Sequence, residues 1–142
     1  MPPTPPKPTD GELAILRVLW DRGPSTVRQV HETLDLKTGY TTVLKLLQIM
    51  AEKGLVTRDE ENRTHIYAAA QREEVTQRRL LKDLMDRAFA GSTRDLVLQA
   101  LSAKRTSPEE LAEIKRLLDA HGKGETVRGE TTKGESTKGG AA

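Results

Sequence analysis

The stretch from Tyr40 to Gly54, YTTVLKLLQIMAEKG, constrains the fold more than any other part of this chain. At 3.6 residues per turn, Val43, Leu46, Leu47 and Met50 recur at the i, i+3, i+4, i+7 spacing of a core-facing stripe. Thr41, Lys45, Gln48 and Glu52 fall on the opposite face. That face offers a hydroxyl, a cation and an amide, the side-chain types that reach DNA base edges and phosphates. It equally fits an ordinary amphipathic helix turned to solvent, so the neighbouring segments must decide.

Those segments give an ordered set of elements. Met1 to Pro8 is Pro-rich and reads as an extended arm. Thr9 or Asp10 can cap a first helix, with Glu12 near its positive end. That helix is expected to bury Leu13, Leu16 and Trp20, helped by Ile15 and Leu19, and to stop at Gly23-Pro24. Ser25 then caps a second helix, Thr26 to Leu34, with Val27, Val30 and Leu34 inward. Asp35 to Gly39 is the turn, residues 41–53 form the third helix, and Gly54 ends it in the usual glycine role. Leu55-Val56-Thr57-Arg58 and Thr64-His65-Ile66-Tyr67 have strand character, and Asp59 to Arg63 is the loop between them. Three helices followed by a hairpin make a winged helix-turn-helix.

The second half differs in kind. Glu73 to Ala90 reads as a long helix carrying Leu81, Leu84, Met85, Ala88 and Phe89 on one stripe, and Gly91 ends it. Ser92 caps the next, which carries Leu96, Val97, Ala100 and Leu101. Ser107-Pro108-Glu109-Glu110 combines a cap, a first-turn proline and acids, a strong helix start. The last helix carries Leu111, Ile114, Leu117 and Leu118. Three such helices bury one another poorly in isolation. A second copy of the chain is the expected partner, because repressors of the helix-turn-helix type span two half-sites as dimers. The fold class is therefore mostly α with a small β-hairpin wing. The expected divisions are an arm (1–8), a winged helix (9–70), a helical dimerisation region (71–120) and a low-complexity tail (121–142). The tail holds three imperfect five-residue copies from Gly124 to Lys138, nearly without apolar surface, and is expected to be disordered.

Composition removes several classes of function. Aromatics are 3% of the 142 residues, too few for a β-sandwich core, and 0 Cys excludes disulfides, thiolate zinc sites and thiol sensing. No apolar run approaches the roughly 18 residues of a membrane span, and the first residues lack a signal-peptide core. A cytoplasmic protein without membrane contact is expected. His31, His65 and His121 lie too far apart to imply a metal, and no cofactor motif is present. A phosphate loop, an activated nucleophile and a paired-carboxylate pocket are all missing, so an enzyme is not expected. Net charge is +2, and residues 1–68 hold nine bases and nine acids. Any positive footprint must come from how the bases are arranged in space.

The candidate DNA-binding residues each carry two readings. Thr41 and Thr42 either cap the third helix or contact DNA. Lys45 is a solvated cation or a base or phosphate contact, with Gln48 one turn on. Tyr40 packs its ring on the core and can offer its hydroxyl to a phosphate. Arg63 and His65 sit on the wing, exposed or touching backbone and minor groove. Ser25 and Thr26 are expected to leave free N–H groups at a helix start, a ready phosphate site. Trp20 reads as core. The rival to DNA binding is a winged helix used only for protein–protein contact, which should show apolar residues on the outer face of the third helix.

The runs ELAILRVLWDRGPSTVRQVHETL and YTTVLKLLQIMAEKGLVTRDEENRTHIYAA resemble the penicillinase-repressor family (BlaI/MecI/CopY), as do the Phe89-Ala90-Gly91-Ser92 junction and the Ser107-Pro108-Glu109-Glu110-Leu111 helix start. Leu19-Trp20 before Gly23-Pro24, Tyr40-Thr41-Thr42-Val43 and Lys53-Gly54-Leu55 stand in the family's order and spacing, and the likeness runs from about Asp10 to Asp119. It implies a homodimeric transcriptional repressor bound to an inverted-repeat operator in double-stranded DNA. It also implies a sensor protease as partner, since some relatives are inactivated when such a membrane protein triggers cleavage in the dimerisation region. The comparable stretch here is Leu98 to Arg105. Copper-sensing relatives carry paired cysteines that this chain lacks, and the tail is not a family feature.

Overall fold

The computed structural model describes residues 5–34, 38–61 and 63–124. Six helices and one hairpin follow in order: α1 (Asp10–Arg22), α2 (Val27–Thr33), α3 (Tyr40–Lys53), β1 (Val56–Asp59), β2 (Ile66–Ala69), α4 (Glu73–Ala88), α5 (Thr93–Ala103) and α6 (Pro108–Gly122). This is the mostly helical winged-helix class that the sequence implies. The chain divides into two compact units between Gly91 and Ser92, so α4 groups with the winged helix.

The first unit is built around α1, α2, α3 and the hairpin. Ile15, Leu16, Val18 and Leu19 from α1, Val27 and Val30 from α2, and Val43, Leu47 and Met50 from α3 form its core. Leu55, Val56 and Tyr67 of the hairpin region close that core. Val43, Leu47 and Met50 are 0% exposed. Leu46 packs against this cluster while only partly buried. The stripe on α1 is rotated from the expected one, since Leu13 and Trp20 are only partly buried and Val18 is buried instead. Trp20 keeps one edge outside because its indole N–H donates to the Gln71 carbonyl at 3.0 Å, and such a polar edge settles at a boundary.

Local signals explain most of the helix ends. Thr9 caps α1 in a capping box: the Glu12 N–H donates to Thr9 Oγ1 at 3.2 Å, and the Thr9 N–H donates to Glu12 Oε1 at 2.9 Å. Gly54 ends α3 at φ 86°, ψ 13°, the left-handed conformation that glycine adopts without steric cost. Ser92 and Ser107 cap α5 and α6 by accepting from Asp95 and Glu110, and Pro108 opens α6. The second helix departs from expectation. Its cap is Thr26, paired in a capping box with Gln29, and the helix runs only from Val27 to Thr33. Ser25 lies before it in an isolated bridge to Tyr67.

The hairpin is antiparallel, with Val56 opposite Ala69, Thr57 opposite Ala68, Arg58 opposite Tyr67 and Asp59 opposite Ile66. Its second strand sits two residues later than expected. Ala68 and Ala69 have weak strand preference, but pairing with β1 outweighs propensity here, and Tyr67 is held on its other edge by Ser25. The third strand of a winged-helix sheet is thus reduced to that single bridge.

The remaining helices carry few buried residues. α4 ends two residues before the expected Ala90, with Ala90 (φ 50°) and Gly91 (φ 79°) in left-handed conformations. Thr76 is its one buried residue, and α5 and α6 have none. α6 extends to Gly122, past the expected start of the tail at His121. The proposed disorder of the tail concerns mainly residues 125–142, outside the described residues. Of the arm, residues 5–8 are described, and Lys7 forms an ion pair with Asp83 of α4.

Candidate nucleic-acid interface

The core stripe of α3 fixes where its other face points. With Val43, Leu47 and Met50 inward, Thr41, Thr42, Lys45 and Gln48 are all exposed. The helix cap is Gly39, without any side-chain hydrogen bond, so neither threonine is used as the cap. Lys45 has no ion pair or hydrogen bond among the described residues. Tyr40 opens α3 at 46% exposure. Its ring meets His31 of α2 edge-on, with centroids 5.7 Å apart and planes at 80°, a favourable aromatic geometry. This contact crosses the turn and orients Tyr40 at the entry of the helix.

Several of the other sequence candidates come together beside it. Thr26, Tyr40, Gln48, Arg63 and His65 line one depression between the start of α2, α3 and the wing. Arg28, which the sequence reading did not single out, lines it too. Arg28 follows the buried Val27 on α2, and its exposure on that short helix is the signal that marks it.

Ser25 requires a correction. It does not cap α2 and it is 2% exposed. Its N–H donates to the Tyr67 carbonyl at 2.9 Å and its hydroxyl to the Gly23 carbonyl at 2.8 Å. The Thr26 N–H is also engaged, donating to Gln29 Oε1 at 2.9 Å. The free N–H groups expected at Ser25 and Thr26 are therefore absent. The chain uses them to attach the wing and close the cap, because buried backbone groups must be satisfied.

Two further residues act from behind. Glu12 is 1% exposed on α1, and Lys53, in the last turn of α3, donates to its Oε2 at 2.8 Å. Burial pushes the Glu12 carboxyl up, but the Lys53 ammonium and the Thr9 N–H outweigh it and hold it below its ordinary value of 4.5. The pair ties the end of α3 to the start of α1. Periodicity alone could not reveal it, because Glu12 looks like a first-turn dipole residue. On the wing, Arg58 is held by Glu60 at 2.6 Å.

Among the described residues, no group of three or more His, Cys, Asp or Glu is arranged for a metal, and no helix is long and apolar enough to cross a membrane. On the remaining helices Leu81, Leu84, Val97, Leu101, Leu111, Leu117 and Leu118 are exposed, while Met85, Phe89, Leu96 and Ile114 are partly so.

Comparison with known proteins agrees with this layout. The family model of the penicillinase repressor matches residues 8–120. The chain is 34% identical over 112 residues to the transcriptional regulator BlaI of Mycobacterium tuberculosis, covering 77% of this chain and 80% of that protein. It is 23% identical over 118 residues to the penicillinase repressor of Bacillus licheniformis, covering 82% and 92%. Over 113 residues it is 18% identical to the methicillin resistance regulatory protein MecI of Staphylococcus aureus, covering 78% and 92%. The chain thus belongs to the penicillinase-repressor family, whose members are transcriptional repressors rather than enzymes.

Proposed function

We propose that this chain is a homodimeric, cytoplasmic repressor that lays α3 in the major groove of an inverted-repeat operator in double-stranded DNA. The observation that carries this reading is the outer face of α3, where Thr41, Thr42, Lys45 and Gln48 stand exposed opposite the buried Val43, Leu47 and Met50. Thr41, Thr42, Lys45 and Gln48 read bases; Arg63 and His65 on the wing and Thr26 and Tyr40 beside it meet the backbone. Backbone contacts set position, and base contacts set sequence. Ser25 contributes indirectly, by anchoring the wing through Tyr67.

The dimer is formed by Leu81, Leu84, Met85, Phe89, Leu96, Val97, Leu101, Leu111, Ile114, Leu117 and Leu118. Each of the three helices leaves apolar residues exposed, which supports this, because exposed apolar surface marks association sites. Induction through a sensor protease would cut within Leu98 to Arg105, an exposed stretch spanning the end of α5 and the start of its linker to α6. Removing α6 would weaken the dimer and two-site binding.

The test is selection of bound duplexes from a random pool, followed by titration of Lys45→Ala. The expected product is an inverted repeat with half-sites about one helical turn, roughly 10 base pairs, apart. Lys45→Ala should lose about 1–3 kcal/mol on that sequence and much less on a scrambled duplex. Equal losses on both would make Lys45 a phosphate contact. Failure of the wild type to enrich any sequence would overturn the repressor reading.

A further inference from the structure

Four depressions on the first unit are lined by at least one arginine, and their charges differ. Arg72 lines one of them alone among otherwise uncharged residues. Arg17 on α1 shares its depression with Asp21 and Glu73. Arg58 shares its own with Glu52, and Glu60 holds its guanidinium at 2.6 Å. The depression between α2, α3 and the wing holds Arg28, Arg63 and His65, and none of the described residues lining it is acidic. Neither Arg28 nor Arg63 has an ion pair among the described residues. Balanced charge over residues 1–68 thus conceals a hollow that two arginines line without a carboxylate among its described lining residues.

Resting on the DNA-binding reading above, we propose that this hollow is a phosphate site. Arg28 and Arg63 clamp one tetrahedral phosphate of the DNA backbone from opposite sides, α2 and the wing. Guanidinium groups present planar pairs of donors that match phosphate oxygens. Tyr40 and Thr64 line the same hollow with further donors. The site fixes the register of α3, because its walls include Tyr40 and Gln48 of that helix. Arg28 is the residue this adds to the interface. The hollow needs no free N–H from the start of α2, where those of Ser25 and Thr26 are already engaged.

The experiment uses the full chain with Arg28→Ala, Arg28→Lys and Arg17→Ala, each checked for unchanged helical content. Anisotropy titrations against the selected operator and a scrambled duplex are run across a salt series. Arg28→Ala should weaken both duplexes alike, by about five- to tenfold, and lower the log–log salt slope by about one unit. Arg28→Lys should restore the slope but only part of the affinity, because an ammonium lacks the paired donors. Arg17→Ala removes the same charge from a compensated place and should leave the slope unchanged. An unchanged slope in Arg28→Ala overturns the site while leaving DNA binding intact. If the wild type binds no duplex, inorganic phosphate decides, read by the ring resonances of His65. Shifts seen in wild type and lost in Arg28→Ala would support a site for free phosphate and sink the repressor reading alone. No shift in wild type would overturn both.

Discussion

The winged-helix portion and the α5–α6 portion contain helices of similar length and similar apolar content, yet they bury it very differently. In the first, α1, α2, α3 and the hairpin cover one another, and twelve apolar residues lie in a single buried cluster. In the second, no residue of either helix is buried, and Leu118 is 58% exposed. Both portions carry good caps, so local signals do not make the difference. What differs is tertiary closure. A helix stripe stabilises only when a second surface takes it out of water, at roughly 25 cal/mol per Å² of apolar area. The winged helix supplies that surface within its own chain; α5 and α6 present theirs outward. A winged helix that closes its own core, followed by helices whose apolar residues stay exposed, is consistent with the proposed dimer.

The sharpest way to break this contrast is to truncate an apolar side chain buried in the winged-helix core and others that the later helices leave exposed or half-buried. Leu47→Ala, at a site with no exposure, should destabilise the winged helix by about 3–5 kcal/mol. That loss should be the same at every protein concentration in urea denaturation. Phe89→Ala and Leu101→Ala should act through association instead, with a loss of about 2–3 kcal/mol in dimer stability. Light scattering should show their mass falling towards one chain on dilution. If the wild type is already monomeric at micromolar concentration, the contrast is wrong and α5 and α6 are covered in some other way.

The Glu12–Lys53 pair sharpens the comparison from inside the winged helix. Glu12→Gln leaves an ammonium whose side chain is 31% exposed, so solvent screening reduces the usual cost of breaking a buried pair to about 1–2 kcal/mol. Because the folded carboxyl titrates below its ordinary 4.5, its stabilisation is fully present above that pH. It is lost as the pH falls through the lower folded value. Wild type should therefore weaken more steeply than Glu12→Gln in acid denaturation below about pH 4.5; parallel curves would show that the pair contributes nothing. The smallest effect is expected at the cap of α2. Thr26→Ala removes the side-chain arm of the capping box, the Oγ1 that accepts from the Gln29 N–H, and should cost about 1 kcal/mol, read as faster amide exchange in α2 than in α1.

Much of the fold was legible because its signals are local. Thr9 with Glu12, Gly23-Pro24, Gly54 and Ser107-Pro108 mark helix ends through contacts spanning a few residues, and the α3 stripe follows from one period. The errors fall where long-range contacts decide. Ser25 has the composition of a cap, but its backbone is taken by Tyr67, forty-two residues later. The expected second strand stops at Tyr67, but the ladder with Val56 and Thr57 carries it through Ala68 and Ala69.

By itself, the sequence determined the order of the elements, the exposed polar face of α3 and the membership of the family, since periodicity, caps and motif spacing are properties of neighbours along the chain. Only the tertiary structure decided that Glu12 reaches Lys53 across forty-one residues. The same holds for the meeting of Arg28 with Arg63 in a hollow without carboxylates. Such pairings depend on how α1, α2, α3 and the wing close around one core, and no count of charges along the chain contains that information.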